Sequence, residues 1–136
     1  MDASTKEVVN VVSIIFGSIT LISPILLGIV LKSHPPKKIN SIYGFRTGIS
    51  SKNQETWDYS QKLAANTMIV FSAISIPVYV ALLLTNPSFL DNTRIWGQAN
   101  MSRLYLGLAL VIVVIVFSVI TVQIKARKVW KNSTME

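Results

Sequence analysis

Leu104-Tyr-Leu-Gly-Leu-Ala-Leu-Val-Ile-Val-Val-Ile-Val-Phe-Ser-Val-Ile-Thr-Val-Gln-Ile124 runs for 21 residues without a charged side chain. At 1.5 Å of rise per residue, a helix of that length crosses the ~30 Å of hydrocarbon in a bilayer. Two more runs match it, Val8 to Leu31 and Leu63 to Leu84, and neither carries a charge. A soluble helix this long would show charged residues every three or four positions on its outer face. The composition agrees: mean hydropathy is +0.51 and 51% of residues are hydrophobic against 14% charged. We therefore expect an all-α integral membrane protein with three transmembrane helices, spanning about 8–31, 63–84 and 104–124. The 136 residues are expected to form one membrane domain.

The chain has no cysteine, which removes disulfides, thiolate ligands and a Cys nucleophile. The first run is too long for a signal-peptide core and is expected to be retained, because Lys6 is offset by Asp2 and Glu7. Net charge is +7, and its distribution is uneven. Lys32, Lys37, Lys38, Arg46, Lys52 and Lys62 lie between runs one and two, and Lys125, Arg127, Lys128 and Lys131 follow run three. Only Lys6, Arg94 and Arg103 remain for the other side. The positive-inside rule then puts the N-terminus out, and the first loop and C-terminus in the cytoplasm. Topology and the pull of anionic lipid account for the basic balance, so no nucleic-acid partner is called for.

Small and hydroxylated residues punctuate the first run: Ser13, Gly17, Ser18, Thr20, Ser23 and Gly28. Ser13 and Gly17 make a small-xxx-small pair, which predicts close packing against another span. Pro24 predicts a kink or an opened backbone. His34-Pro35-Pro36 ends the helix. A second helix is expected to start near Ser51, where Ser51-x-x-Gln54 fits a capping box. With no breaker before Pro77, it can run from Lys52 to about Leu84, or ~50 Å, and extend into the cytoplasmic interface. Asp58 and Lys62 are spaced for an i,i+4 pair, while Trp57 and Tyr59 suit an aromatic belt. Residues 1–7 read as a polar arm. Phe89, Leu90, Ile95 and Trp96 read as a surface-lying outer loop, and the tail as helical to about Trp130.

Most groups able to bind or react fall in residues 32–62, between the first two spans. Arg46 offers a planar five-donor fork for phosphate or carboxylate. Asn40, Tyr43, Thr47, Ser50 and Asn53 add neutral hydrogen bonds, Gly44 permits close backbone approach, and Lys37 and Lys38 add positive potential. With Trp57 and the supporting Asp58, these residues form the candidate ligand site. The bland alternative is that Arg46 caps span one or pairs with Glu55 or Asp58, and that Tyr43 and Trp57 only anchor. His34, Glu55 and Asp58 are a weak metal set. No Ser-His-Asp, Walker or zinc pattern is present, so neither an enzyme nor a cofactor is expected. No acidic residue lies within a span, as a proton-coupled pump would require.

Ile39-Asn40-Ser41-Ile42-Tyr43-Gly44-Phe45-Arg46-Thr47, followed by Ser50, Asn53 and Trp57, resembles the signature of the SdpI family of small bacterial membrane proteins. The resemblance covers spans one and two and the loop, while span three and the tail match only in hydropathy. Where family members often carry Pro and a basic residue after Arg-Thr, this chain has Gly48 and Ile49. The best-known member is longer, with a second membrane-spanning half. The resemblance implies a multi-pass protein of the bacterial cytoplasmic membrane that gives immunity to a toxic peptide. It also implies signalling through a cytoplasmic regulator. The alternative reading, from Arg46 itself, is an anionic lipid-headgroup binder. As a transporter, that binder would need a homo-oligomer, since three helices are few for a transport path.

Overall fold

The computed structural model describes residues 3–85 and 102–134. Three helices, α1 (Ala3–Ser33), α2 (Gln54–Thr85) and α3 (Ser102–Asn132), pack against one another in a three-membered bundle. All three are long and apolar enough to cross a membrane, and the described residues include no strand. The expectation for Phe89, Leu90, Ile95 and Trp96 falls outside the described residues.

The bundle is inverted relative to a soluble one. Large apolar residues point outward, among them Val8, Ile15, Ile19, Leu26, Ile74, Ile112 and Phe117. The inward stripe of α1 is Ser13, Gly17, Leu21, Pro24, Gly28 and Leu31, spaced by three or four residues. Those of α2 and α3 hold Ser60, Ala64, Ala65, Ser72, Gly107, Ser118 and Ala126. In lipid, apolar side chains gain nothing by turning inward, so small residues that let backbones approach decide the packing. The approach is closest at two glycine contacts. A Cβ on Gly107 would stand 2.8 Å from Gly17 Cα, and one on Gly28 would stand 2.9 Å from the Ala65 carbonyl. The predicted role of Ser13 and Gly17 in packing is borne out. The buried hydroxyls of Ser60, Ser72 and Ser118 have no hydrogen-bond partner among the described residues.

Helix α1 continues through Pro24 without interruption. Proline has no N–H for the carbonyl four residues back, Thr20, and the Ser23 hydroxyl donates to that carbonyl at 2.7 Å instead. Residues 3–7, expected as a polar arm, are the first turn of α1. Nothing in Ser4-Thr5-Lys6-Glu7 breaks a helix, so it continues past the apolar run. Helix α2 is continuous for its 32 described residues, Gln54–Thr85, as its lack of early breakers predicted. Its start differs from expectation. The cap is Asn53, whose Oδ1 accepts the Thr56 N–H at 2.8 Å, and not Ser51. At the opposite end of the bundle, Arg103 is buried in α3, where its guanidinium donates to Asn10 Oδ1 of α1. The Tyr79 hydroxyl of α2 donates to the Arg103 carbonyl at 3.2 Å. One residue thus joins all three helices there.

Candidate functional site

Residues 34–53 connect α1 to α2 over the ends of the bundle, and their shape follows from a few buried contacts. Gly44 has φ +113°, a conformation that side-chain-bearing residues rarely adopt. A Cβ there would also meet Pro36 Cγ at 2.8 Å, Gln61 Oε1 at 2.9 Å and Trp57 Cζ2 at 3.2 Å. The chain turns at Gly44 against these three side chains, and only glycine fits. Gly48, by contrast, has open space around it.

Beyond that turn, Phe45 points in and Arg46 points out. Phe45 packs with Ala64 of α2 and Val122 and Ala126 of α3. Its backbone is held by Gln61, itself 1% exposed. The Phe45 N–H donates to Gln61 Oε1 at 2.6 Å, and Gln61 Nε2 donates to the Phe45 carbonyl at 2.8 Å. One side-chain amide thus does for Phe45 what a neighbouring strand would do. Thr47 and Ser50 close the next turn reciprocally. The Thr47 N–H donates to Ser50 Oγ at 2.7 Å, and the Ser50 N–H to Thr47 Oγ1 at 3.1 Å.

The other predicted site residues brace the same loop. Asn40 Oδ1 accepts the Ile42 and Tyr43 N–H groups at 3.0 and 2.9 Å, and its Nδ2 donates to the Lys38 carbonyl. The Tyr43 hydroxyl donates to the His34 carbonyl at 3.0 Å, the role at the end of α1 that the alternative reading gave Arg46. Asn53 Nδ2 donates to Ser133 Oγ at 2.9 Å, and Lys52 Nζ lies 5.8 Å from the Trp130 ring centre. These contacts fasten the start of α2 to the end of α3 and put the loop and the tail at the same end of the bundle.

Two expectations are corrected. Trp57 is fully buried, with its indole N–H donating to the Pro36 carbonyl at 2.9 Å. The loop covers the ring, so it is a packing residue and not part of an aromatic belt. Asp58 does not pair with Lys62 among the described residues; its Oδ1 accepts Gln54 Nε2 at 2.7 Å. The same Nε2 lies 2.9 Å from the Lys37 carbonyl, a second brace on the loop. No cluster of His, Cys, Asp and Glu that could hold a metal occurs among the described residues.

Sequence reading missed Gln61. The available signal was an uncharged polar residue one turn after Trp57 on the face that continues as Ala64 and Ala65. After this bracing, the outward groups of the loop include three cations beside the exposed Ile39 and Ile42. Lys37 and Lys38 are exposed, and so is Arg46, which donates from one nitrogen to the Ser41 carbonyl at 2.6 Å. A cleft of about 240 Å³ beside the loop is lined by Pro35, Pro36, Lys37, Asp58, Gln61 and Lys62.

The fold and loop define a class: a multi-pass α-helical membrane protein of three spans, with a braced polar loop between the first two. Within that class, the chain belongs to the SdpI/YfhL protein family, whose model matches residues 37–130. That match takes in the loop from Lys37, α2 and nearly all of α3 but not α1, so the expected coverage is corrected at both ends: the third span is included and the first is not. The chain is also similar to the uncharacterized protein YfhL of Bacillus subtilis (strain 168), at 44% identity over 46 residues. The aligned stretch is 34% of this chain and 42% of that relative, so the chain spans less than half of the relative's length. No solved structure matches the chain.

Proposed function

We propose that this protein is a membrane-embedded immunity protein, protecting a bacterial cytoplasmic membrane from a membrane-active toxic peptide. The observation that carries the reading is the family match running through the loop motif and both following helices. The loop's construction supports it. Most of its neutral polar side chains are spent on its own backbone, and Asn53 also holds Ser133, which leaves a stiff platform offering Arg46, Lys37 and Lys38 outward. A preformed surface loses little entropy when it engages a partner. The ten-to-three division of basic residues argues that this platform faces the cytoplasm. From there it is placed to act on a peptide crossing the bilayer or to signal to a cytoplasmic regulator.

A second reading uses the same Arg46. A guanidinium with most of its donors turned outward suits a phosphate, so the loop would bind an anionic lipid headgroup. The two readings separate on one experiment. Cells carrying the protein are challenged with a panel of membrane-active peptides, and the purified protein is tested for retained lipid phosphate. Arg46→Ala should abolish protection at equal membrane abundance, and Arg46→Lys should restore little, because an ammonium lacks the fork. Its thermal stability should stay within about 0.5 kcal/mol of wild type, as for an exposed side chain. Full protection by Arg46→Ala would reduce the loop to a topological anchor.

A further inference from the structure

Helix α3 holds no acidic residue, and its last turns carry Lys125, Arg127, Lys128 and Lys131. Three of these cations border a surface cleft of about 380 Å³, lined by Ile120, Gln123, Ile124, Arg127, Lys128 and Lys131. The cleft has two chemically distinct halves. Ile120 and Ile124 are half-exposed and continue the outward apolar face of the span. Arg127, Lys128 and Lys131 are exposed and none forms an ion pair among the described residues. Depth separates the halves in the same order. At 1.5 Å per residue, Arg127 stands ~4.5 Å and Lys131 ~10 Å beyond Ile124 along the helix. Since the uncharged run ends at Ile124, Arg127 and Lys128 lie within the headgroup layer, ~5–7 Å thick per leaflet, and Lys131 lies just beyond it, with a side chain that slants back toward the helix N-terminus and so toward that layer.

We infer that this cleft is a binding site for one anionic phospholipid. Its phosphate sits among Arg127, Lys128 and Lys131, Gln123 donates to the ester or glycerol oxygens, and one acyl chain lies along Ile120 and Ile124. The charge pattern selects the ligand. The cleft by the loop mixes Lys37 and Lys62 with Asp58, whereas this one is purely cationic, so a zwitterionic headgroup finds no carboxylate for its ammonium. The supporting helix is held in place. Ala126 is buried against the core, Ser133 accepts a hydrogen bond from Asn53, and Trp130 lies under Lys52. The three cations therefore stand on a fixed surface on the side of α3 turned away from the buried Val122 and Ala126. The site is separate from the Arg46 loop and does not depend on the immunity reading.

The test uses the full-length protein in detergent, followed by native mass spectrometry and thermal unfolding. The probes are phosphatidylglycerol, phosphatidylcholine with the same acyl chains, and inorganic phosphate. Phosphatidylglycerol should be retained at one molecule per chain and raise the unfolding midpoint, while phosphatidylcholine and phosphate do neither. The triple variant Arg127→Gln/Lys128→Gln/Lys131→Gln should bind phosphatidylglycerol roughly 100-fold more weakly, as expected for removing three interfacial cations. Should it fold poorly by circular dichroism, Lys128→Glu alone should lose at least roughly tenfold. Lys37→Gln/Lys38→Gln, the same change on the loop, should stay within about twofold of wild type. The inference is overturned if the α3 variants bind phosphatidylglycerol like wild type, if the loop variant loses as much, or if phosphatidylcholine binds equally well. Equal binding of inorganic phosphate would overturn the acyl half of the site.

Discussion

Gln61 makes two hydrogen bonds to the backbone of Phe45, and both partners are buried. Gln61→Leu would strand the Phe45 N–H away from water and leave the Phe45 carbonyl with only the long 3.4 Å contact from the Ser50 hydroxyl. The expected cost is on the order of 2–4 kcal/mol, read as a lower unfolding midpoint in detergent, since each orphaned buried group costs ~1–3 kcal/mol. Glycine gives a sharper comparison within the same loop. Gly44→Ala forces a side chain into the left-handed region and against Pro36, Gln61 and Trp57. It should destabilise by roughly 1–3 kcal/mol, whereas Gly48→Ala, with open space around it, should stay within about 0.5 kcal/mol. Equal effects would mean that the Gly44 turn is not under steric control. At this scale the residue types were legible but their partners were not. Asn40, Tyr43, Thr47, Ser50 and Asn53 read as ligand donors because they are polar and close in sequence. Most side-chain hydrogen bonds in proteins go to backbone or water, and here the donors close turns. Which carbonyl a hydroxyl meets depends on the folded path of the loop, and spacing alone does not encode it.

The helices themselves were legible because lipid leaves few alternatives. An uncharged run of about 20 residues must satisfy its own backbone, and in a single segment only a helix does so. Their ends were less legible, since capping is a contest among neighbours. Ser51 and Asn53 both qualify by residue type; Asn53 wins because its Oδ1 reaches Thr56 N–H while its Nδ2 reaches Ser133 just past the end of α3. Asn53→Ala should therefore cost about 1–2 kcal/mol by thermal unfolding, and Ser51→Ala a few tenths at most. The reverse order would restore the capping box at Ser51. Trp57 went astray for a related reason. An indole near a membrane surface is usually an anchor, but two prolines and a positive-φ glycine fold the loop back over this one.

The arrangement of the three helices was only partly legible. The Ser13–Gly17 pair on α1 was readable as a contact surface, but its partner, Gly107, sits in the most uniformly apolar run, where one glycine gives little warning. Sidedness belongs to this scale too, because it concerns the whole bundle and not any one helix. The Asn53–Ser133 hydrogen bond puts the loop and the tail at one end, and ten basic residues lie in or beside those two segments. Together they predict that Ser41→Cys and Thr134→Cys, made in a chain with no native cysteine, resist a membrane-impermeant thiol reagent in intact cells. Both should label once the membrane is permeabilised. Ser88→Cys, between α2 and α3 in sequence, should label without permeabilisation. The outcomes divide cleanly. Labelling of both Ser41→Cys and Thr134→Cys from outside, with Ser88→Cys protected, would invert the orientation and leave the bundle intact. Labelling of only one of the two would break the shared end, and with it the three-span arrangement that holds the loop against α3.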